Sequence, residues 1–257
     1  MAYVGLESCQ ILLEYTKLSK GQKIKKSIFI CVQALLMFSL VSRKFLAMRN
    51  IALHSVCDEK IPFGLVKQTV QNGCTFLSLY HCNVFGANTQ VSKTSQLKYL
   101  DLSFGKVNLA TLKTLLSSCH SLQKLSLANL CLNLEIIKIL CTQNGQTLQV
   151  LDLAFCKGLA YDSDCLKWTV NNCLSLTELN LNFTDLSKAS VKHLTKHLTP
   201  KITKLNIGHL KWINAECVGS LVSSCKKIMA LDLKSTSTGC LTLKCAIVNG
   251  PEGTKDQ

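Results

Sequence analysis

One apolar signature recurs along the chain and sets how it must fold. Leu97, Leu100 and Leu102 stand at offsets 0, 3 and 5. The spacing returns as Leu122-x-x-Leu125-x-Leu127, Leu148-x-x-Leu151-x-Leu153, Leu176-x-x-Leu179-x-Leu181, Ile202-x-x-Leu205-x-Ile207 and Ile228-x-x-Leu231-x-Leu233. First positions are separated by 25, 26, 28, 26 and 26 residues, and two weaker units, Met48-x-x-Ile51-x-Leu53 and Cys74-x-x-Leu77-x-Leu79, precede them at steps of 26 and 23. A unit this short cannot bury its own apolar face, so successive units must stack. Offsets 0, 3 and 5 suit a short strand whose inward side chains rest on those of the next unit.

Between these strands the apolar period changes to three and four, as in Leu109-Ala-Thr-Leu-Lys-Thr-Leu-Leu, Ile136-Ile-Lys-Ile-Leu, Cys165-Leu-Lys-Trp-Thr-Val, Val191-Lys-His-Leu and Cys217-Val-Gly-Ser-Leu-Val. Each such stretch predicts a helix with one face to bury. The expected fold class is α/β: a leucine-rich-repeat solenoid, or horseshoe, with parallel strands on the concave face and helices on the convex face. The repeats occupy residues 48–235 in about eight units, between a basic and apolar N-terminal segment (1–47) and an irregular tail (236–257).

The chain carries fifteen cysteines and none as C-x-x-C, which argues against a zinc knuckle or a thioredoxin-type pair. Cys119, Cys173 and Cys225 lie three residues before their unit's first apolar position, and Cys82 and Cys156 lie eight residues after theirs. A buried structural role suits all five, in a reducing compartment. This pattern resembles C-x-x-L-x-x-L-x-L-x-x-C, the cysteine-containing leucine-rich repeat of F-box proteins. Gly145, Thr94 and Thr199 stand in for the first cysteine of some units, and Gly105, Leu130, Thr184, Leu210 and Thr236 for the second.

Leu97-Lys-Tyr-Leu-Asp-Leu-Ser, Leu116-Ser-Ser-Cys-His-Ser-Leu-Gln-Lys-Leu-Ser-Leu and Leu148-Gln-Val-Leu-Asp-Leu-Ala-Phe-Cys are most similar, within those proteins, to the S-phase-kinase-associated F-box family. That resemblance implies the substrate receptor of an SCF-type ubiquitin ligase, serving ubiquitin-dependent degradation in the cell cycle, in nucleus and cytoplasm. It also implies an N-terminal F-box that binds the SCF adaptor and, through it, the cullin. Leu40-Val-Ser-Arg-Lys-Phe-Leu-Ala is similar to the closing helix of an F-box, which assigns adaptor contact to Leu40, Val41, Phe45 and Leu46; the Leu-Pro opening is not recognisable in residues 1–39. The alternative is an F-box-less repeat scaffold or sequestering protein with no ligase role. Towards the other end, residues 240–248 suit an edge strand capping the stack, and the sequence reads equally as a truncated or spliced product.

Lys20, Lys23, Lys25 and Lys26 precede an apolar run from Ile28 to Val41, the order of a signal peptide. Ser42-Arg43-Lys44 follows where a small-residue cleavage site belongs, and the run is shorter than the ~18 residues of a membrane span, so a buried or partner-facing helix is expected there. Neither membrane nor nucleic acid is an expected partner. The net charge of +14 is concentrated in residues 1–50 and on helices, as at Lys188, Lys192 and Lys196, away from the aromatic residues that nucleic-acid binding would interleave with it. No serine, cysteine or histidine stands in a nucleophile setting, and His193 and His197, at i and i+4, lack the Glu and third ligand of a zinc site. A non-catalytic adaptor without cofactor or metal is therefore expected.

Side chains at offsets 2, 4 and 6 point away from the core, and the residue after them leaves the strand. This puts Tyr80, Tyr99, Asp101, Lys124, Asp152, Glu178, Asn180 and Asn206 on the concave wall, with Phe104, Phe155, Phe183 and His209 just beyond it. Aromatic residues among charges and amides suit a protein-binding surface. Two other roles stay open: the offset-4 residues as solubilising groups, and the aromatics as plugs of the stack.

Overall fold

The computed structural model describes residues 28–30, 50–54, 60–71, 73–86, 95–159 and 163–237. Its elements run β1 (Ile28–Ile30), β2 (Asn50–His54), β3 (Lys60–Pro62), α1 (Phe63–Gln71), β4 (Phe76–Tyr80), β5 (Asn83–Phe85), β6 (Tyr99–Asp101) and β7 (Lys106–Val107). They continue with α2 (Leu109–Ser117), β8 (Lys124–Ser126), α3 (Leu134–Asn144), β9 (Val150–Asp152), α4 (Ser163–Asn172), β10 (Glu178–Asn180), α5 (Lys188–His197), β11 (Lys204–Asn206), α6 (Ala215–Ser224) and β12 (Ala230–Asp232).

Nine strands form one sheet in the order β1-β2-β4-β6-β8-β9-β10-β11-β12, parallel at each pairing. The register follows the repeat without a slip: Leu77 pairs with Leu100, Leu100 with Leu125, Leu125 with Leu151, Leu151 with Leu179, Leu179 with Leu205 and Leu205 with Leu231. All seven leucines are buried, as are those at offsets 0 and 5. The fold is thus the expected leucine-rich-repeat solenoid, its core one continuous cluster between the sheet and the helices.

Two features differ from the sequence expectation. Ile28–Ile30, expected to open a helix, forms an edge strand that pairs with β2 through Ile28 opposite Ile51. A short apolar run reads equally as helix or strand, and a β-branched, aromatic, β-branched triplet beside an open parallel edge resolves it towards strand. A second sheet, β3-β5-β7, forms where the first units descend from the main sheet. The isolated pairing of Cys131 with Lys157 continues that line of contact in later units. Leu40, Val41, Phe45 and Leu46, and the edge strand expected at 240–248, lie outside the described residues.

Four of the described helices start where an Asn or Ser side chain takes the first free amides. Asn108 accepts from Thr111 N at 2.7 Å, Asn133 from Ile136 N at 3.0 Å, Ser187 from Ser190 N at 3.1 Å and Asn214 from Cys217 N at 2.9 Å. Each such cap contributes about 1 kcal/mol. Asn144, buried at the end of α3, ties two units together. Its amide donates to Cys119 O at 2.9 Å, and its Oδ1 accepts from Leu122 N at 3.0 Å.

The repeat cysteines Cys82, Cys119, Cys156, Cys173 and Cys225 are buried thiols outside any disulfide. Cys119 Sγ donates to Leu115 O at 3.3 Å and Cys156 Sγ to Leu127 O at 3.1 Å, bonds that satisfy carbonyls where chain segments turn. Burial pushes the Cys119 thiol up to about 11 and that of Cys156 up to about 12. Each unit of such a rise removes tenfold of the reactive thiolate at neutral pH. Alkylation of the folded protein at pH 8, mapped by mass spectrometry, is expected to label the exposed Cys131 and to leave Cys119 and Cys156 more than about a hundredfold slower. Comparable labelling of all three would contradict their burial.

Candidate functional site

The wall facing away from the helices is built from one local device repeated in five units. In these the residue at offset 4 is Asp or Asn, and its Oδ1 accepts the backbone N–H two residues later; Ser78 and Ser126 hold the position in the other two units from β4 onward. Asp101 takes Ser103 N at 2.9 Å, Asp152 takes Ala154 N at 3.0 Å and Asn180 takes Asn182 N at 3.1 Å. Asn206 takes Gly208 N at 3.1 Å and Asp232 takes Lys234 N at 3.0 Å. Such a bond bends the chain out of the strand. These side chains therefore shape the wall as well as line it, a role beyond solubility.

The bend leads directly into a strained residue. At offset 7 every unit from β4 to β12 has a residue in the left-handed region: His81, Phe104, Asn129, Phe155, Phe183, His209 and Ser235, with φ from 54° to 64°. Bulky side chains adopt this region at a cost of about 1 kcal/mol each. Ladder bonds impose it, because Phe104 N donates to Ala128 O at 2.8 Å, Phe155 N to Asn182 O at 2.8 Å and His209 N to Lys234 O at 2.7 Å.

The side chains set out in this way form an aromatic file along the rim. His81 stacks on Phe104 with centroids 5.5 Å apart, and Phe104 reaches Phe155 at 6.1 Å past the exposed Asn129. Phe155 stacks on Phe183 at 4.7 Å and Phe183 on His209 at 3.7 Å. Ring contacts of this kind contribute about 1 kcal/mol each and offset the backbone cost. The file is nonetheless open to solvent, with Phe155 39% and Phe183 47% exposed. Plugs of the stack would be covered, and these two rings are not.

Inward from the rim, Tyr80, Tyr99 and Phe104 surround a depression of about 330 Å³ whose lining includes Asp101, Asp152, Ser103, Ser126, Val150 and Lys124. Phe76 stacks flat on Tyr99 at 4.1 Å, and Tyr80 meets Phe104 edge-on at 5.7 Å. Serine hydroxyls fix the second carboxylate oxygens: Ser78 donates to Asp101 and Ser126 to Asp152, both at 3.2 Å, while Ser103 and Ser126 bond each other. Partial burial raises the Tyr99 phenol above its ordinary value, and Asp101 and then Asp152 raise it further.

The predicted wall residues thus divide. Tyr80, Tyr99, Asp101, Phe104, Lys124 and Asp152 meet around the depression. Phe155, Phe183 and His209 continue along the rim, and Glu178, Asn180 and Asn206 lie further along the sheet. Glu178 is held by Lys204 across β10 and β11 at 2.9 Å, an exposed pair of small energetic weight. Phe76 and Ser126 stand on the wall where offsets 2 and 4 put them, and Val150, also at offset 2, was missing from the predicted wall. Elsewhere, His193 and His197 stack at 4.4 Å on the exposed face of α5, and His193 Nε2 bonds Asn171 Oδ1 at 3.2 Å. Among the described residues, no group of three or more His, Cys, Asp or Glu is arranged to hold a metal ion, and no helix is long and apolar enough to cross a membrane.

The described site offers rings, carboxylates and amides on a rigid sheet, and it suits holding another protein. The family model described as the SKP2 LRR domain matches residues 64–248, well over half of the chain.

Proposed function

This chain belongs to the SKP2 LRR domain family, and we propose that it is a non-catalytic substrate receptor of an SCF-type ubiquitin ligase. Repeat domains of this kind are interaction modules, and here the concave wall and its rim take up a protein substrate. Function then follows from proximity: a substrate held beside a charged ubiquitin carrier meets it at a high effective concentration. The SCF adaptor and cullin are reached through the N-terminal segment, with Leu40, Val41, Phe45 and Leu46 as adaptor contacts. Nucleus and cytoplasm are the proposed setting, in keeping with ten described cysteines that stand outside any disulfide.

The observation that carries this reading is the rim file. Phe104, Phe155 and Phe183 hold a conformation that Gly or Asn adopts at less cost, and two of the three rings stay exposed. Exposed aromatic residues on a rigid support are what protein interfaces use as anchors. Strain retained at a surface position points to selection for contact.

The test replaces Phe155 and Phe183 together by Asn, which tolerates the left-handed region. Tagged chains expressed in cells are recovered and probed for the adaptor and cullin, and co-recovered proteins are followed for ubiquitination. The double variant is expected to keep adaptor and cullin, to melt within about 5 °C of the parent, and to lose ubiquitinated substrate about tenfold or more. Alanine at Leu40, Val41, Phe45 and Leu46 is expected to release adaptor and cullin while substrate stays bound. Absence of adaptor and cullin from the parent chain would reject the ligase role. Undiminished substrate in the Phe155 and Phe183 variant would reject the rim.

A further inference from the structure

We propose that the depression between Tyr80, Tyr99 and Phe104 receives an arginine side chain of the protein partner. This rests on the wall being a protein-binding surface and adds what that surface reads. Three rings line the depression, and Asp101 and Asp152 are its only acids against a single base, Lys124. Among the described ion pairs, neither carboxylate has a lysine or arginine partner. Two negative charges therefore stand beside aromatic faces, neither of them paired with the one lysine of the lining, in a recess open to solvent.

The geometry favours a flat cation. Each carboxylate spends one oxygen on a backbone N–H and the other on one serine hydroxyl, at 2.9 and 3.2 Å for Asp101 and 3.0 and 3.2 Å for Asp152. A carboxylate oxygen accepts about two bonds, so each outer oxygen keeps a lone pair for an incoming donor. The same bonds hold both groups still, which lowers the cost of ordering them around a ligand. A guanidinium stacks on rings, forks to carboxylates and is weakly hydrated, whereas an ammonium gives up its water less readily. The raised Tyr99 phenol reports the same field in its lesser part: after burial, Asp101 and Asp152 disfavour its anion, and the same two carboxylates favour a cation beside it.

The test uses the full chain and three peptides of one length, acetyl-Gly-Gly-X-Gly-Gly-amide with X as arginine, lysine or citrulline. Binding is followed by amide chemical shifts at 99–104 and 150–154. The arginine peptide is expected to shift these amides and to saturate first. Citrulline, which keeps the shape and loses the charge, is expected to bind about tenfold more weakly or worse. The double variant Asp101→Asn, Asp152→Asn keeps the Oδ1 acceptors that bend the chain, and is expected to lose arginine binding to a similar degree while its melting curve stays close to the parent. Equal binding of arginine and citrulline, or no shift at these amides, overturns the proposal even if the variant fails to fold, because those arms use the parent chain. Tighter binding of lysine overturns the choice of arginine. Substrate loss in the Phe155 and Phe183 variant alongside an unresponsive depression would remove the arginine alone and leave the receptor reading standing.

Discussion

Leu151→Asp is expected to unfold the central repeats. Leu151 is 1% exposed, at the middle of β9, with Leu125 and Leu179 on the neighbouring strands. Truncation to Ala would cost about 2–5 kcal/mol through lost transfer energy and a cavity. The carboxylate adds desolvation with no partner in an all-apolar column, so it must protonate or pull the strand into water. Against a total stability of about 5–15 kcal/mol, that sum removes most of the margin. In a stack each unit leans on its neighbours, so loss of β9 exposes β8 and β10 as well. Thermal unfolding followed by circular dichroism should show the cooperative transition lost or lowered by more than about 15 °C. The control, Lys204→Asp, changes an exposed residue beside the same column and should melt near the parent. A parent-like melt of the Leu151 variant would mean that the strands do not stack in this register.

The leucine column was legible because burial has a period. Offsets 0, 3 and 5 are apolar in unit after unit, and a parallel sheet paired in that register follows with no further information. The strain at the rim was not legible in the same way. Nothing in a phenylalanine announces a positive φ; the conformation of Phe104 comes from the Asp101 bond to Ser103 N and the ladder bond to Ala128 O. Its place just past the strand could be counted, but its backbone state could not. Asp101 and Asp152 show the same limit. Their type at offset 4 is readable and suits either solubility or binding, whereas their backbone bonds are a property of the folded turn. β1, β5 and β7, with two or three residues each, carry too little pattern to separate strand from helix or coil. Val150 was passed over for a different reason: an apolar side chain carries no chemistry until rings and carboxylates are placed around it.

Gly105→Cys is expected to destabilise the protein although it restores the repeat pattern. Gly105 stands at offset 8, the position of Cys82 and Cys156 in their own units, and substitutions towards a consensus commonly stabilise by about 0.5–2 kcal/mol. Here the backbone of one unit lies against that of the one before. A Cβ on residue 105 would sit 2.1 Å from Cys82 O. That oxygen cannot swing aside as the end of a flexible side chain would, because Cys82 N is tied to Leu79 O at 3.0 Å and β5, which follows at once, pairs with β7. The two segments must part, at a cost of about 3 kcal/mol and roughly 10 °C in melting temperature. Thr184→Cys at the same offset in another unit separates this close approach from any general effect of the new thiol. Thr184 already carries a Cβ, and the change forfeits one hydrogen bond, from Thr184 Oγ1 to Leu181 O at 2.6 Å, worth about 1 kcal/mol. Denaturant unfolding under reducing conditions measures both. If Gly105→Cys proved as stable as the parent, the backbones at Cys82 and Gly105 would not be in contact, and β5 and β7 would have to pair at a wider spacing than the register of Asn83 with Lys106 and Val84 with Val107 allows.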